Sequence, residues 1–447
     1  MKMLNTQYLK LVRRILGVAL VLLISACATV NPVTGEKEYF TLNEKAEIKL
    51  GEQHYYPTMQ SMGGEYLNNN EAKNYVNSIG QKLAQVSHRP NLNYEFKIVN
   101  SSMVNAFALP GGKICVTRGL LEQIDNEAQL AAVLGHEIGH VTARHGAKRF
   151  VRGTILSSLL QFGGAVLDLK NVKGKDWIKL GAVLGTEAFL SKYSRDQETQ
   201  SDTLGIDYMQ KVNYDPHGAV QLFELFSRLS KKEPGFIEKL FASHPQSNER
   251  MQNANNIIKN KNTAKTKKIV NTLEFSQATA TIKREASIYR NYDRAEKLSR
   301  DGRVEEAIEF YNKAIQEKSS ESLFHASLGL AYLEREQSYQ GEKYLKEAIR
   351  LYPDYYMPHY ILGIHYLGER QYDGAIEYLE KTDKFIPEQP TTQFLLAQAY
   401  IASGGWFNQA KGMGLLRTVC LQHKYTKIGN MACKQVEILE PKKEAKK

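Results

Sequence analysis

Glu127-Ala128-Gln129-Leu130-Ala131-Ala132-Val133-Leu134-Gly135-His136-Glu137-Ile138-Gly139-His140 decides how the first half of the chain is read. Leu130, Val133, Leu134 and Val141 recur at helical spacing on one face, which predicts a helix from Glu127 to Phe150 with Asp125 as its cap. On that helix His136 and His140 stand one turn apart on the same side, so both imidazoles can reach one divalent ion. Glu137 projects beside them without having to bind the ion. This is the spacing of a zinc site with a general base next to it. Two surface histidines are the alternative, and the apolar face around them speaks against it.

Hydrolytic zinc takes three protein ligands. An extended pattern that would supply the third needs glycine where Ala143 stands and histidine where Gly146 stands. His145 is one residue off and is expected to face elsewhere. A glutamate farther along is therefore expected, and Glu198 in Ser194-Arg195-Asp196-Gln197-Glu198-Thr199-Gln200-Ser201-Asp202 is the best candidate. Glu198 and Asp202 share a helix face, so Glu198 could ligate while Asp202 accepts a proton from a ligand histidine and fixes its tautomer. Taken alone, such a pair is a solvated helix face more often than a site.

Upstream, helical periodicity covers Asn43 to Gln60 and Glu71 to Gln85. Tyr94 to Val99, the run into the Pro110-Gly111-Gly112 turn, and Lys113 to Thr117 read as strands. Cys115, inside the last of these, is expected to be a buried structural thiol.

Four segments together resemble the M48 peptidases: His136 to His140; Glu198 to Asp202, with Ser201 where alanine is usual; Asn105 to Gly112; and His244-Pro245-Gln246-Ser247-Asn248-Glu249-Arg250. The resemblance covers about Asn31 to Met251. It implies a zincin-like α+β domain with a small sheet and one Zn2+ per chain. It implies His136, His140 and Glu198 as ligands and Glu137 as the base. His244 would lie near the metal, as an occasional fourth ligand that closes the site or as a group that steadies an oxyanion. Asp202 and Arg250 would stand around these groups.

From about Glu285 to Leu439 the chain repeats with a period of 34. Ala307, Gly341 and Ala375 share one column, Gly329, Gly363 and Ala397 a second, and Tyr332, Tyr366 and Tyr400 a third. Small residues let paired helices approach, and the tyrosines fill the space between neighbours. The pattern resembles tetratricopeptide (TPR) repeats and implies an α-solenoid with a concave surface for peptides or partners. Gly404-Gly405 disturbs the last unit, which is expected to be degenerate or a cap. The fold class is thus mainly α, the metallopeptidase-like domain followed by the solenoid.

The amino terminus carries Lys10, Arg13 and Arg14, then the apolar run Ile15 to Ile24, too short for a comfortable membrane span. Leu23-Ile24-Ser25-Ala26-Cys27 resembles a bacterial lipobox. That resemblance implies a lipid anchor on Cys27 and, with Ala28 next, a place on the periplasmic side of the outer membrane. The expected units are a signal peptide 1–26, the peptidase-like domain 27–252, a polar linker 253–284, the repeat domain 285–440 and a basic tail 441–447. Within the first domain, Val151 to Leu190 is apolar and glycine-spotted. It reads as two packed helices or, alternatively, as a hairpin touching a membrane. An oxidising envelope would permit Cys420 and Cys433 to pair.

At 42% hydrophobic and 24% charged residues the chain is not a disordered one. The net charge of +11 comes with no nucleic-acid module, so the basic runs read as solvated surface. Two functions are consistent with these features. One is an endopeptidase acting on unfolded or misassembled polypeptides. The other is a repeat scaffold with a structural or silenced zinc site. The resemblance suggests outer-membrane assembly components or their clients as partners in either case.

Overall fold

The computed structural model describes residues 29–39, 42–160, 192–232, 234–245, 248–260 and 268–440. The expected signal peptide, Cys27, most of the apolar stretch Val151 to Leu190 and the basic tail lie outside them. No helix among the described residues is long and apolar enough to cross a membrane.

A short antiparallel ribbon, β1 (Thr29–Val30) and β2 (Lys37–Glu38), precedes α1 (Glu44–Gln60) and α2 (Asn70–Ala84). Asn43 and Asn69 cap these helices, each side-chain oxygen accepting a backbone N–H of the first turn. Then come β3 (Glu95–Val99), β4 (Ala106–Leu109) and β5 (Lys113–Thr117). The sheet order is β3-β5-β4, with β5 parallel to β3 and antiparallel to β4, so β4 is an edge strand. The turn between β4 and β5 needs its glycines. Gly111 and Gly112 have φ of 76° and 88°, and a Cβ on Gly111 would fall 2.7 Å from the Ile48 Cα in α1. Cys115 is buried in β5 and free, as expected.

A short α3 (Arg118–Gln123) leads to α4 (Glu127–Thr142), whose cap is Asn126 rather than Asp125. The helix expected to run to Phe150 breaks in two. Ala143 ends α4, Arg144 takes a left-handed φ of 59°, and α5 (His145–Leu160) starts afresh. Arg144 is fixed there by its own side chain, which donates from Nε to Glu47 Oε2 at 2.9 Å and from Nη1 to Thr29 Oγ1 at 2.7 Å.

Next come α6 (Arg195–Lys211), α7 (His217–Lys232), α8 (Pro234–Ser243), α9 (Asn248–Asn260) and α10 (Leu273–Arg284). Small residues let α4 and α6 touch backbone to backbone. A Cβ on Gly139 would sit 2.9 Å from Ser201 O, and one on Gly205 would sit 2.8 Å from His136 N. Compactness at position 201 is therefore what this contact demands, and serine meets it. The expected linker 253–284 is in part folded. The α10 segment is capped by Thr272 and buries Phe275, Ala278, Thr279 and Ile282, because its apolar stripe has α2 and α3 to pack on.

The carboxy-terminal half is a series of helix pairs: α11 (Ala286–Arg300) with α12 (Val304–Glu317), α13 (Ser322–Glu334) with α14 (Ser338–Leu351), α15 (Tyr356–Gly368) with α16 (Tyr372–Phe385), and α17 (Pro390–Ser403) with α18 (Trp406–Gln422). A closing helix, α19 (Lys427–Leu439), follows. The small columns meet inside a pair, where a Cβ on Gly329 would lie 3.0 Å from Gly341 O. The repeated tyrosines stack within pairs, Tyr332 on Tyr344 at 5.5 Å and Tyr366 on Tyr378 at 5.6 Å. Their hydroxyls reach back to the preceding unit, Tyr366 donating to Glu342 and Tyr400 to Glu380. Gly404 and Gly405, at φ of 77° and 74°, form a two-residue turn before α18, where the earlier pairs have three residues. The residue facing Ala397 is Gly412 rather than residue 409. Cys420 and Cys433 form a disulfide joining α18 to α19.

The two halves are joined by buried polar contacts. Gln60 at the end of α1 accepts from Tyr356 N at 2.9 Å and donates to Tyr352 at 3.2 Å. Glu321 accepts from Asn100 at 2.9 Å and from Tyr289 at 2.6 Å. The Arg118 guanidinium lies 3.4 Å from the centre of the Tyr289 ring.

Candidate metal centre

The contact of α4 with α6 brings Glu198 under the two histidines of α4. Glu198 Oε1 is 3.4 Å from His140 Nε2, and Glu198 Oε2 is 3.7 Å from His136 Nε2. The two Nε2 atoms are 3.0 Å apart. His244, just past α8, adds Nδ1 at 3.1 Å from Glu198 Oε1 and 3.3 Å from His136 Nε2. One ligand atom from each of His136, His140, Glu198 and His244 lies within 4.8 Å of the others, a group that could hold a metal ion. Of the four only His136 is partly exposed.

The donor set fits zinc. Imidazole nitrogens and a carboxylate are the ligands zinc takes, and four of them make a tetrahedron. Nitrogens and oxygens that converge in a buried space this closely are the arrangement a shared cation satisfies. Glu137 Oε2 and His244 Nε2 are buried with no hydrogen-bond partner among the described residues. His244 Nε2 comes no nearer to Glu137 Oε1 than 3.7 Å.

These four side chains are held from behind. His136 Nδ1 is 2.8 Å from Asp202 Oδ1. Arg250 grips Asp202 from Nε and Nη2, at 2.7 Å each, and reaches Glu198 Oε2 from Nη1 at 2.6 Å. His140 Nδ1 meets His145 Nδ1 at 2.9 Å, and His145 Nε2 meets Gln200 Oε1 at 2.9 Å. His145 therefore faces the site, contrary to the sequence expectation, because the Arg144 turn resets the direction of α5. One tautomer pattern satisfies the whole row. The His140 Nδ1–H donates to His145, the His145 Nε2–H donates to Gln200, and His140 Nε2 is left with its lone pair toward the ion.

Burial dominates the ionisation of most of this group. At His136 burial is outweighed by Asp202 and Glu198, and the pKa is raised. Burial holds His140 well below the usual histidine range and takes His145 down to about 4, so both rings are neutral. Burial also lifts the Glu137 carboxyl above its ordinary range, against the pull of His244 and His136. For Glu198, burial opposes ionisation, but His244 and His140 outweigh it and hold the group well below the carboxylate range. Sequence reading also passed over Tyr193, whose ring stacks on His140 at 3.8 Å with Arg149 on its other side at 3.9 Å. Nothing in its local sequence marks it.

Residues 70–258 match the family model of peptidase family M48. This segment is an M48 peptidase domain. The M48 domain has several curated relatives. The beta-barrel assembly-enhancing protease of Escherichia coli is 27% identical over 231 residues, 50% of this chain and 46% of that protein. The mitochondrial metalloendopeptidase OMA1 of Schizosaccharomyces pombe is 27% identical over 222 residues, 49% of this chain and 64% of that protein. Metalloprotease YcaL of Escherichia coli is 28% identical over 188 residues, 41% of this chain and 71% of that protein. The chain thus spans about half the length of the first of these. Among solved structures, the type IV pilus biogenesis factor PilW overlays on 59% of the chain at 14% identity and a TM-score of only 0.31. The repeat architecture rests instead on the helix pairs themselves.

Proposed function

We propose that this protein is a zinc-dependent metalloendopeptidase of a bacterial envelope that cuts unfolded or misassembled polypeptides. The observation that carries the reading is the convergence of His136, His140 and Glu198 next to Glu137, whose Oε2 has no hydrogen-bond partner among the described residues. His136, His140 and Glu198 are the zinc ligands in this reading, one ion per chain. Zinc held there supplies Lewis acidity toward water and a peptide carbonyl. Glu137 takes the proton of the attacking water on its carboxylate and delivers it to the leaving amine nitrogen. Asp202 and Arg250 fix the His136 ring and the Glu198 carboxylate. An extended substrate adds to β4, the edge strand, by main-chain hydrogen bonds, which suits a chain not already paired in a folded sheet.

The anchor on Cys27 and the outer-membrane address belong to the same proposal, supported by the lipobox-like junction. The helix pairs hold the polypeptide or its assembly partners, and outer-membrane proteins are the proposed clients, a reading in keeping with the beta-barrel assembly named in the first relative. The experiment is proteolysis of an unfolded casein-type substrate by the wild type and by Glu137→Gln, each with its zinc content measured. Loss of turnover with zinc retained supports the reading. A Glu137→Gln protein that still cleaves overturns it.

A second reading has its own observation. His244 completes a four-donor set, and four protein ligands leave tetrahedral zinc no open position. The protein would then rest closed, or serve as a repeat scaffold with a structural ion. Cells lacking the protein and given Glu137→Gln distinguish the two: full rescue favours the scaffold, loss of rescue the peptidase.

A further inference from the structure

The repeat half ends on a surface unlike the rest of it. Six of the twelve large apolar side chains left exposed among the described residues are Trp406, Phe407, Leu421, Tyr425, Ile438 and Leu439, all on α18, on α19 or in the turn between them. Trp406 is 83% exposed and Leu421 79%. At about 3.6 residues per turn, Trp406, Phe407 and Leu421 point to one side of α18, with Lys411 and Arg417 among them. Gly412, Leu416 and Val419, which are buried, point to the other. The exposed faces of the earlier second helices are built differently. The α12 helix shows Glu305, Glu309 and Lys313, α14 pairs Arg350 with Glu347, and α16 pairs Lys381 with Glu377. Tyr339 is the one large apolar side chain exposed on those three helices.

We infer that the end of the solenoid, α18 with α19, lies on a membrane surface rich in anionic phospholipid. A last repeat ordinarily turns a polar face to water, and this one does not, so something covers it. Charge is the first argument for what does. Residues 404–447 hold nine lysines and arginines against three glutamates, more than half of the chain's net +11. The α18 helix has no acidic residue. A second copy would bring the same charge to the same face and be repelled.

The layout of the apolar groups is the second argument. A protein partner prefers a contiguous apolar core with lysine kept out of it. Here Trp406 and Leu421 stand about 22 Å apart along the helix, with cations between them. The headgroup layer of a bilayer takes that mixture. Indole, phenyl and aliphatic groups enter it, and the stems of lysine and arginine stretch beside them to the phosphates. Lys411 and Lys424 already lie against rings, 5.0 Å from the centre of Phe407 and 5.9 Å from that of Tyr425. On sequence alone these basic runs read as solvated surface, and the exposed rings among them change that reading. The contact belongs to the folded chain and does not depend on the lipid proposed for Cys27.

The test uses the chain from Ala28 onward, without lipid, and with Trp177→Phe so that Trp406 is the one tryptophan. Vesicles of phosphatidylglycerol and phosphatidylethanolamine are expected to carry it up in a flotation gradient. Phosphatidylcholine vesicles should bind it at least about tenfold less, and added salt should release it. Trp406 emission should shift to the blue on the anionic vesicles. Phe407→Gln with Leu421→Gln, and separately Lys424→Glu with Lys427→Glu, should each weaken binding at least about tenfold. All four side chains are exposed, so the fold is kept, which circular dichroism checks. No flotation on anionic vesicles, equal flotation on phosphatidylcholine, or binding that either variant keeps would overturn the inference. So would a concentration-dependent dimer that Phe407→Gln with Leu421→Gln dissolves, which would make a second copy the occupant. Tight binding to poly-glutamate with no flotation would overturn it too, in favour of an acidic polypeptide.

Discussion

His145 and His140 stand Nδ1 to Nδ1 at 2.9 Å, and Gln200 holds the far side of the His145 ring. The contact is built by the left-handed Arg144 and sets which nitrogen of His140 is free to bind metal. Removing it as His145→Phe should leave the fold in place and loosen zinc by about 10–100-fold, since ligand-supporting partners have effects of that size. Competition against a chromogenic chelator measures it. Unchanged zinc affinity would mean that the ring fills space and does not position His140.

If His244 takes the fourth donor position, as the second reading has it, its removal opens the site. His244→Ala should cleave an unfolded substrate faster than the wild type while binding zinc less tightly. Initial rates at saturating zinc, set beside the chelator competition, check both halves. A variant with zinc bound and turnover lost would instead make His244 a group that acts on the substrate.

Asp293 in α11 connects the repeat half to the M48 domain, where Ser102 bonds its carboxyl and Arg118 stands close. Burial pushes its pKa up to about 6, from an ordinary 3.8. The folded state therefore binds the proton more tightly than the unfolded state. Stability from this group is fully present below about pH 4 and is lost as the pH rises through 6. Asp293→Asn should remove that slope. At pH 7.5 it should stabilise the protein by at most about 3 kcal/mol, from about 1.4 kcal/mol per pH unit, and it should make little difference at pH 4. Denaturant unfolding at the two pH values decides. Equal effects at both would place the origin elsewhere.

Cys420 and Cys433 close a loop with a sequence separation of 13 and fasten α19 to α18. A loop of that size restricts the unfolded chain by about 3 kcal/mol. Cys433→Ser should lower the protection of α19 amides against hydrogen exchange and leave α4 and α6 as they were. Full protection of α19 in the reduced protein would show that apolar packing alone holds the end of the solenoid.

Legibility followed the kind of constraint. His136 and His140 could be read because a helix fixes where residues four apart point. The repeat could be read because several columns keep one spacing. Glu198 is different, since its approach depends on Gly135, Gly139, Ser201 and Gly205 letting two helices meet, and no local pattern in the chain announces that contact. His145 was misread because a continued helix would carry it away from His140. Ala143-Arg144 holds no glycine or proline to mark the break, and the cause is the distant Glu47. The folded α10 hid inside a polar stretch, although Thr272 was available as a cap. The seating of Gln60 on Tyr352 and Tyr356 joins residues almost 300 apart and has no periodic signature.

The central claim is that one ion is gripped by the imidazoles of α4 and the carboxylate of α6. Elemental analysis of the purified chain, beside Glu198→Ala, tests it most directly. One zinc per chain is expected in the wild type and a small fraction of that in Glu198→Ala. Equal zinc in the two proteins, or none in a wild type supplied with the metal, would contradict it.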